Sequence, residues 1–279
     1  MSADLFAQYS EAIRQRDLSL STPTIHPTAI IEAGARLGQR VNVGPFSWIG
    51  SEVVLEDDVW IDSHVRIEGN TTVGTKSRVW SFATLGVLPQ DLKYHGEPGS
   101  LVIGKSNMIR EYCNFSIGTE GGGSVTKIGD DNLFMVHTHI GHDTQVGSHC
   151  IFANGVSLAG HVKVHDHALM MGHSAVHQFC TIGRFALCAG GAMVTQDVAP
   201  FVMVHGNRAQ EAGLNLVGLK RAGFSPEQLG YVKFMHKTLF RDGKTLEDAV
   251  NEIRAQVPSS EWRDYFLDFI SSSERGICR

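Results

Sequence analysis

An apolar residue returns at every sixth position from Ile25 through Ile31, Leu37, Val43, Ile49, Leu55, Ile61, Ile67, Val73 and Val79 to Leu85. The register resumes at Ile103, Ile109 and Phe115, and again from Ile128 to Val194, which makes 26 in-phase anchors. A period of six fits neither an α-helix nor a plainly alternating strand. It fits short strands joined by tight turns, each hexad forming one flat side of a prism and stacking on the hexad one coil away. Chance spacing in an ordinary β-sandwich would not hold 26 anchors in phase. The pattern therefore predicts a parallel β-helix over residues 25–201. Four positions after the anchor comes a small or β-branched residue, such as Val41, Ala83, Thr144 or Ala186, suited to a crowded corner. Glycine often follows the anchor, as in Val43-Gly44 and Ile182-Gly183, and is expected there to permit unusual turn dihedrals.

Two segments interrupt the hexads, residues 90–100 and the Gly-rich stretch 121–126. Insertions in a solenoid leave from one edge, often the functional one, so both are expected to be loops. After Phe201 the signal turns helical. Ser225-Pro-Glu-Gln228 reads as an N-cap, a first-turn proline and a capping-box Gln, opening a helix that runs to Arg241 before Gly243. Thr245 opens a second helix, and a third is expected from about Ser260 to Ser271. Residues 202–279 are thus a C-terminal α-helical domain that closes the open end of the coil. Residues 1–24 form an N-terminal extension, helical over 3–16.

The chain has fourteen histidines, and nine of them lie between His137 and His177. His142, His161 and His177 follow one another at intervals close to one three-sided coil, so they are expected near one edge on successive coils. The apolar interior has no use for them, so they point outwards, and imidazole is the usual general base near neutral pH. Asp143 follows His142 directly and can orient it only if the chain bends there, because adjacent strand side chains point oppositely. Metal is the competing reading: His137-x-His139-x-x-His142 has ligand-like spacing, and His165-x-His167 is a weaker echo.

Composition narrows the field. With 42% hydrophobic and 19% charged residues the chain is a folded one, and a net charge of -5 argues against a nucleic-acid binder. No apolar run is long enough to span a membrane, and the opening residues show no secretory signal. Five cysteines without a CxxC pair read as reduced thiols in a cytoplasmic protein. Residues 208–244 run against the overall charge, with seven Lys/Arg and three acids, which suits an acidic partner or phosphate groups.

Gln90-Asp-Leu-Lys-Tyr94, His139-Ile-Gly-His-Asp143, Leu158-Ala-Gly-His-Val162, Ala175-Val-His-Gln-Phe179, Gly218-Leu-Lys-Arg221 and Ser273-Glu-Arg-Gly-Ile277 occur in that order. In these motifs the chain, from Ile25 to Arg279, resembles the hexapeptide-repeat acyltransferases, and among them the UDP-N-acetylglucosamine O-acyltransferase family that begins lipid A synthesis. The resemblance implies a left-handed β-helix and a homotrimer with active sites in clefts between neighbouring prisms. It implies transfer of an R-3-hydroxyacyl group from acyl carrier protein to the 3-hydroxyl of UDP-N-acetylglucosamine, without metal or other cofactor. His142 matches the family's general base and Asp143 its orienting carboxylate. Gln90, Asp91 and Lys93 match a substrate-contacting loop, His139 and His161 a sugar pocket, and His177 with Gln178 a nucleotide-contacting pair. Asn215 and Arg221 fall where the family binds the uridine diphosphate, the basic surface from Lys220 onward suits the carrier protein, and Gly190 matches a position that limits acyl length.

The chain departs from the family pattern in places. Ser116-Ile-Gly-Thr119 stands where His-Arg-Gly-Thr is common, Val217 where an acid is frequent, Ala222 in place of a second arginine, and His173 in place of a methionine. A 3-amino sugar nucleotide is therefore an alternative acceptor. A trimeric β-helix zinc enzyme of the carbonic anhydrase kind shares the fold and is a second enzyme class. A non-catalytic scaffold is the third reading.

Overall fold

The computed structural model describes residues 24–279 together with Gln8, Tyr9, Glu11, Ala12, Ile13 and Gln15. Of the helix expected over 3–16, those six residues are helical, and the remainder lies outside the described residues.

Short strands, mostly of two residues, wind into three sheets of nine, eight and ten strands, parallel except for the last pair of the ten-stranded sheet. Through the coil a strand pairs with the third strand along the chain, as Trp48 with Arg66, Val54 with Thr72 and Trp60 with Arg78, until Leu187–Cys188, which pairs with Val202–His205. The result is a left-handed parallel β-helix. The spacing between partners is eighteen residues in regular coils. It widens to thirty between Thr84 and Asn114 and to twenty-five between Asn114 and His139, where the two insertions leave the prism. The first spans the interval between strands Thr84–Val87 and Ser100–Ile103, and the second contains a single 3-10 turn, Glu120–Gly122.

The hexad anchors fill the prism. Ile49, Leu55, Ile61, Ile67, Val73, Val79 and Leu85 are fully buried, and the interior widens to Phe115, Phe134 and Phe152 further along. Ile25, at the open first coil, is exposed. Apart from Gly86, which has φ of 74°, the glycines after the anchors do a different job from the one the sequence suggests. Gly44 has no positive φ, and a Cβ built on it would lie 2.7 Å from the carbonyl carbon of Asp62 one coil on. These glycines allow coils to approach closely.

The left-handed turn conformation is taken instead by larger residues. Nineteen non-glycine residues among those described have positive φ, and six are histidines: 64, 137, 149, 161, 167 and 173. Non-glycine residues are uncommon in this region. Many of them sit second in a corner turn, where the amide donates to the carbonyl of the preceding coil's corner, as in His161 N–H to His142 O and Phe179 N–H to Gly160 O. The corner side chains then stack in columns. Phe46, His64, Phe82, Tyr112 and His137 form one, with ring centroids 4.9–5.2 Å apart. His149, His167 and Phe185 form a second.

The C-terminal domain begins with an antiparallel hairpin, Val202–His205 with Gln210–Leu214. Four helices follow: α1 (Leu216–Arg221), α2 (Pro226–Phe240), α3 (Leu246–Gln256) and α4 (Glu261–Ser272). The capping box at Ser225 and Gln228 forms as expected, and Thr245 and Ser260 cap α3 and α4. Phe201, Phe224, Trp262 and Phe266 pack ring against ring over the last coil. The tail continues the coil: Asp197 N–H donates to Gly276 O, and Cys278 N–H donates to Asp197 O. No helix among the described residues is long and apolar enough to cross a membrane.

Candidate active site

The site is built on one corner column of the prism, residues 142–143, 160–161 and 178–179. Asp143 has φ of 59°. That turn is the bend the neighbouring His142 needs: it folds the carboxylate back so that Oδ2 lies 2.8 Å from His142 Nδ1. The carboxylate has no solvent exposure. Thr119 donates to it twice, from its N–H to Oδ1 at 2.9 Å and from Oγ1 to Oδ2 at 2.6 Å. An ionised carboxylate only accepts, so Nδ1 of the neutral His142 carries the proton and Nε2 presents a lone pair. Nε2 faces the first insertion, 3.9 Å from Asp91 Oδ2.

His161 stands one coil on. Its ring meets the His142 ring edge to face with centroids 5.0 Å apart, stacks on Phe179, and brings Nε2 to 3.9 Å from Asp143 Oδ2. Burial holds the His161 imidazole below the usual histidine range, and the His142 ring adds to this against the opposing pull of Asp143. His139, on the strand before the corner, has Nδ1 2.9 Å from Asn114 Oδ1, and its burial likewise lowers its pKa. Two cavities meet at His161 and Phe179. One, of about 650 Å³, runs under the first insertion past Asp91 and Lys93. The other, of about 810 Å³, runs from Asp143 to Tyr265 and Phe269 of α4.

The other sequence-identified residues are more dispersed. Gln90 is exposed in the insertion beside Asp91. His177 does not join His142 and His161: it is exposed, with Nδ1 3.2 Å from Gln178 O and 3.2 Å from an Arg275 amino group. Gln178 is exposed on the His142 corner. Gly190 lies on a different corner, that of His137 and His173, since Gly191 N–H donates to Gly172 O and His173 N–H to Asn154 O. Asn215 lies on the third corner. It caps α1 by accepting from Gly218 N–H at 3.0 Å and donates to Phe185 O at 3.0 Å. Arg221 is exposed in the last turn of α1.

The chelating triplet of the metal reading is not assembled. His137 stacks on Tyr112 at another corner, and His139 is engaged by Asn114. His165 bonds to the Tyr265 hydroxyl at 2.6 Å while His167 lies between His149 and Phe185. Among the described residues, the donor atoms close enough to share an ion are those of His142, Asp143 and His161, which lie within 4.8 Å of one another. A thiol nucleophile is also excluded. All five cysteines are buried, and burial pushes the Cys113 and Cys150 thiols up to about 12 and those of Cys180 and Cys278 to about 11.

Sequence reasoning missed the supports of the pair: Thr119, Thr126, Gly122 and Gly160. Thr126 Oγ1 accepts from Asp143 N–H at 2.8 Å. A Cβ on Gly122 would run into the Asp143 carboxylate, and one on Gly160 into the His142 ring. The glycines of residues 121–126 and the Gly before His161 were visible, but not what they face.

A corner-borne histidine and carboxylate on a hexapeptide prism define a transferase of the hexapeptide-repeat class, and residues 126–160 match the model of the bacterial transferase hexapeptide. Residues 197–278 match the model for UDP-N-acetylglucosamine O-acyltransferase, domain 2. The acyl-[acyl-carrier-protein]–UDP-N-acetylglucosamine O-acyltransferase of Anaeromyxobacter dehalogenans is 46% identical over 255 residues, 91% of this chain and 99% of the relative. The chain belongs to the UDP-N-acetylglucosamine O-acyltransferase family. Solved structures agree. A UDP-N-acetylglucosamine acyltransferase from Bacteroides fragilis superposes with a TM-score of 0.90 at 33% identity, covering 92% of this chain and all of that one. LpxA from Acinetobacter baumannii gives 0.89 at 40% identity, covering 91% and 99%.

Proposed function

We propose that the protein transfers an R-3-hydroxyacyl group from acyl carrier protein to the 3-hydroxyl of UDP-N-acetylglucosamine, the first step of lipid A biosynthesis, in the cytoplasm. The observation that carries the mechanism is the His142–Asp143 pair, with Nδ1 tied to a buried carboxylate and Nε2 on the side of the first insertion, 3.9 Å from Asp91, which lines a cavity. The sugar 3-hydroxyl gives its proton to Nε2 as its oxygen bonds to the thioester carbonyl carbon. When the tetrahedral centre collapses the carbon–sulfur bond breaks, and the imidazolium returns the proton to the departing thiolate, leaving the carrier's thiol. Asp143 and the nearby Asp91 favour the transient positive charge on His142. No covalent enzyme intermediate is required, consistent with five unreactive thiols.

The active unit is a homotrimer. Phe46, Phe82 and Tyr112 are 62%, 46% and 49% exposed along one edge of the prism, an apolar column that a second copy would cover. The distribution of the site residues supports this reading. His142, Gly190 and Asn215 stand on three different corners of one prism, so one cleft can include all three only where corners of neighbouring copies meet. In such a cleft Lys93 and His139 would flank the sugar, His177, Gln178, Asn215 and Arg221 would contact the nucleotide, and Gly190 would leave room for the acyl chain. The basic surface around Lys220 and Arg221 would receive the acidic carrier protein.

Mass spectrometry of the products tests the function. The protein is given UDP-N-acetylglucosamine with carrier proteins bearing R-3-hydroxyacyl chains of graded length. The reading requires a singly acylated UDP-N-acetylglucosamine and free carrier thiol. Hydrolysis without acylated sugar, or no reaction at any chain length, would contradict it.

A further inference from the structure

We propose that Thr119 is a positioning residue for the acyl transfer, clamping the Asp143 carboxylate so that His142 keeps both its tautomer and its aim. This rests on the reading of His142 as the base. Among the described residues, Thr119 is the one that bonds both carboxylate oxygens, N–H to Oδ1 and Oγ1–H to Oδ2. Two donors from one residue fix the plane of the carboxylate. Turning the carboxylate about its own axis would break both bonds together with the one to His142.

Thr119 is itself held. Its carbonyl accepts from Gly122 N–H at 3.0 Å and Ser124 N–H at 2.8 Å, closing the second insertion into a tight turn over the corner. Strands Asn114–Ser116 and Val125–Ile128 anchor that insertion in two of the sheets. Across the carboxylate, Gly122 approaches so closely that only hydrogen fits, and Thr126 fixes the Asp143 backbone amide. The Gly-rich break in the hexads is thus a cradle for the anionic partner of the base. Its chemistry parallels the outer partners of metal-bound imidazoles, which set tautomer and orientation without touching the reacting atoms.

Steady-state kinetics of Thr119→Val, Thr119→Ser, Gly122→Ala and His142→Ala test the proposal. Valine keeps the shape and the backbone donor but removes Oγ1–H. Its kcat is expected to fall about ten- to a hundredfold, with KM for UDP-N-acetylglucosamine within about twofold of the parent. Serine restores the hydroxyl and should return kcat to within about threefold. Gly122→Ala, which pushes on the carboxylate with Thr119 intact, should reproduce the kcat-selective loss. Melting temperatures separate these effects from misfolding. A Thr119→Val enzyme with parental kcat, a loss confined to KM, or no rescue by serine would overturn the proposal. If His142→Ala is inactive while Thr119→Val is unimpaired, the positioning role alone fails. If His142→Ala turns over normally, the reading of the base fails instead.

Discussion

Gly160 lies one coil beyond His142, against its imidazole, and a Cβ at position 160 would collide with Nε2, the atom on the side of Asp91. Glycine here is needed for space, since Gly160 has no positive φ. Gly160→Ala should therefore tilt the ring away from the substrate while leaving the prism folded. Because a misplacement of about one ångström at a reacting group can cost around a hundredfold, kcat should drop by that order with little change in melting temperature. Parental kcat in this variant would mean that Nε2 does not act where it stands.

The helical domain is fastened to the coil by Tyr265. Its hydroxyl accepts from Arg184 N–H at 2.9 Å and lies 2.6 Å from His165 Nδ1, while the Arg184 guanidinium covers its ring. Burial raises the tyrosine pKa and lowers that of His165, which favours the neutral form of both partners in this hydrogen bond. Tyr265→Phe strands a backbone donor and a ring nitrogen, at a cost of about 1–3 kcal/mol. Urea unfolding would show a lower midpoint, and an unchanged midpoint would contradict the fastening.

Burial also sets the pH dependence of stability. The imidazoles of His139, His161, His165 and His167 are all held below the ordinary histidine value, burial being the largest cause for each. As pH falls through about 6.5 the unfolded chain binds these protons before the folded one does. The stability they contribute is fully present above that value and is lost toward their lower folded values. The melting temperature should fall between pH 7.5 and 5.5. His167→Phe, which keeps the stack between His149 and Phe185, should flatten the fall. A melting temperature that rises on acidification would contradict the assignment.

The aromatic edge gives a test of assembly. Phe82→Glu places a charge in the column between His64 and Tyr112. Light scattering on the eluted protein should show the proposed trimer for the parent and smaller species for the variant at the same protein concentration. Activity should fall with it, because the proposed cleft is built from more than one copy. A Phe82→Glu trimer as stable as the parent would exclude this edge from the interface.

The coil was legible because a solenoid is nearly one-dimensional. Each anchor meets only the anchors one coil away, so Ile49, Leu55 and Ile61 report their burial through spacing alone. Caps such as Ser225 and Thr245 were legible because their signals are local. The short helix α1 and the hairpin at Val202–Leu214 were not, since neither has a period long enough to register. Nor did spacing show that the corners carry His, Phe and Tyr in a left-handed turn. That preference comes from stacking between coils, and it accounts for histidines such as His149 and His167 that have no part in the His142 site. His142 and Asp143 could be named from sequence, but their bond depends on the Asp143 turn, and the clamp by Thr119 depends on how the second insertion folds back.

The rate of a single turnover, with protein in excess over UDP-N-acetylglucosamine and saturating hydroxyacyl carrier protein, tests the central claim most directly. Measured for the parent, His142→Ala and Asp143→Asn, it isolates the chemical step from product release. Loss of a general base costs roughly a hundred- to ten-thousandfold, so His142→Ala should fall by at least that much and Asp143→Asn by less, with both still binding the sugar nucleotide. Acyl transfer by His142→Ala at the parental rate would contradict the account.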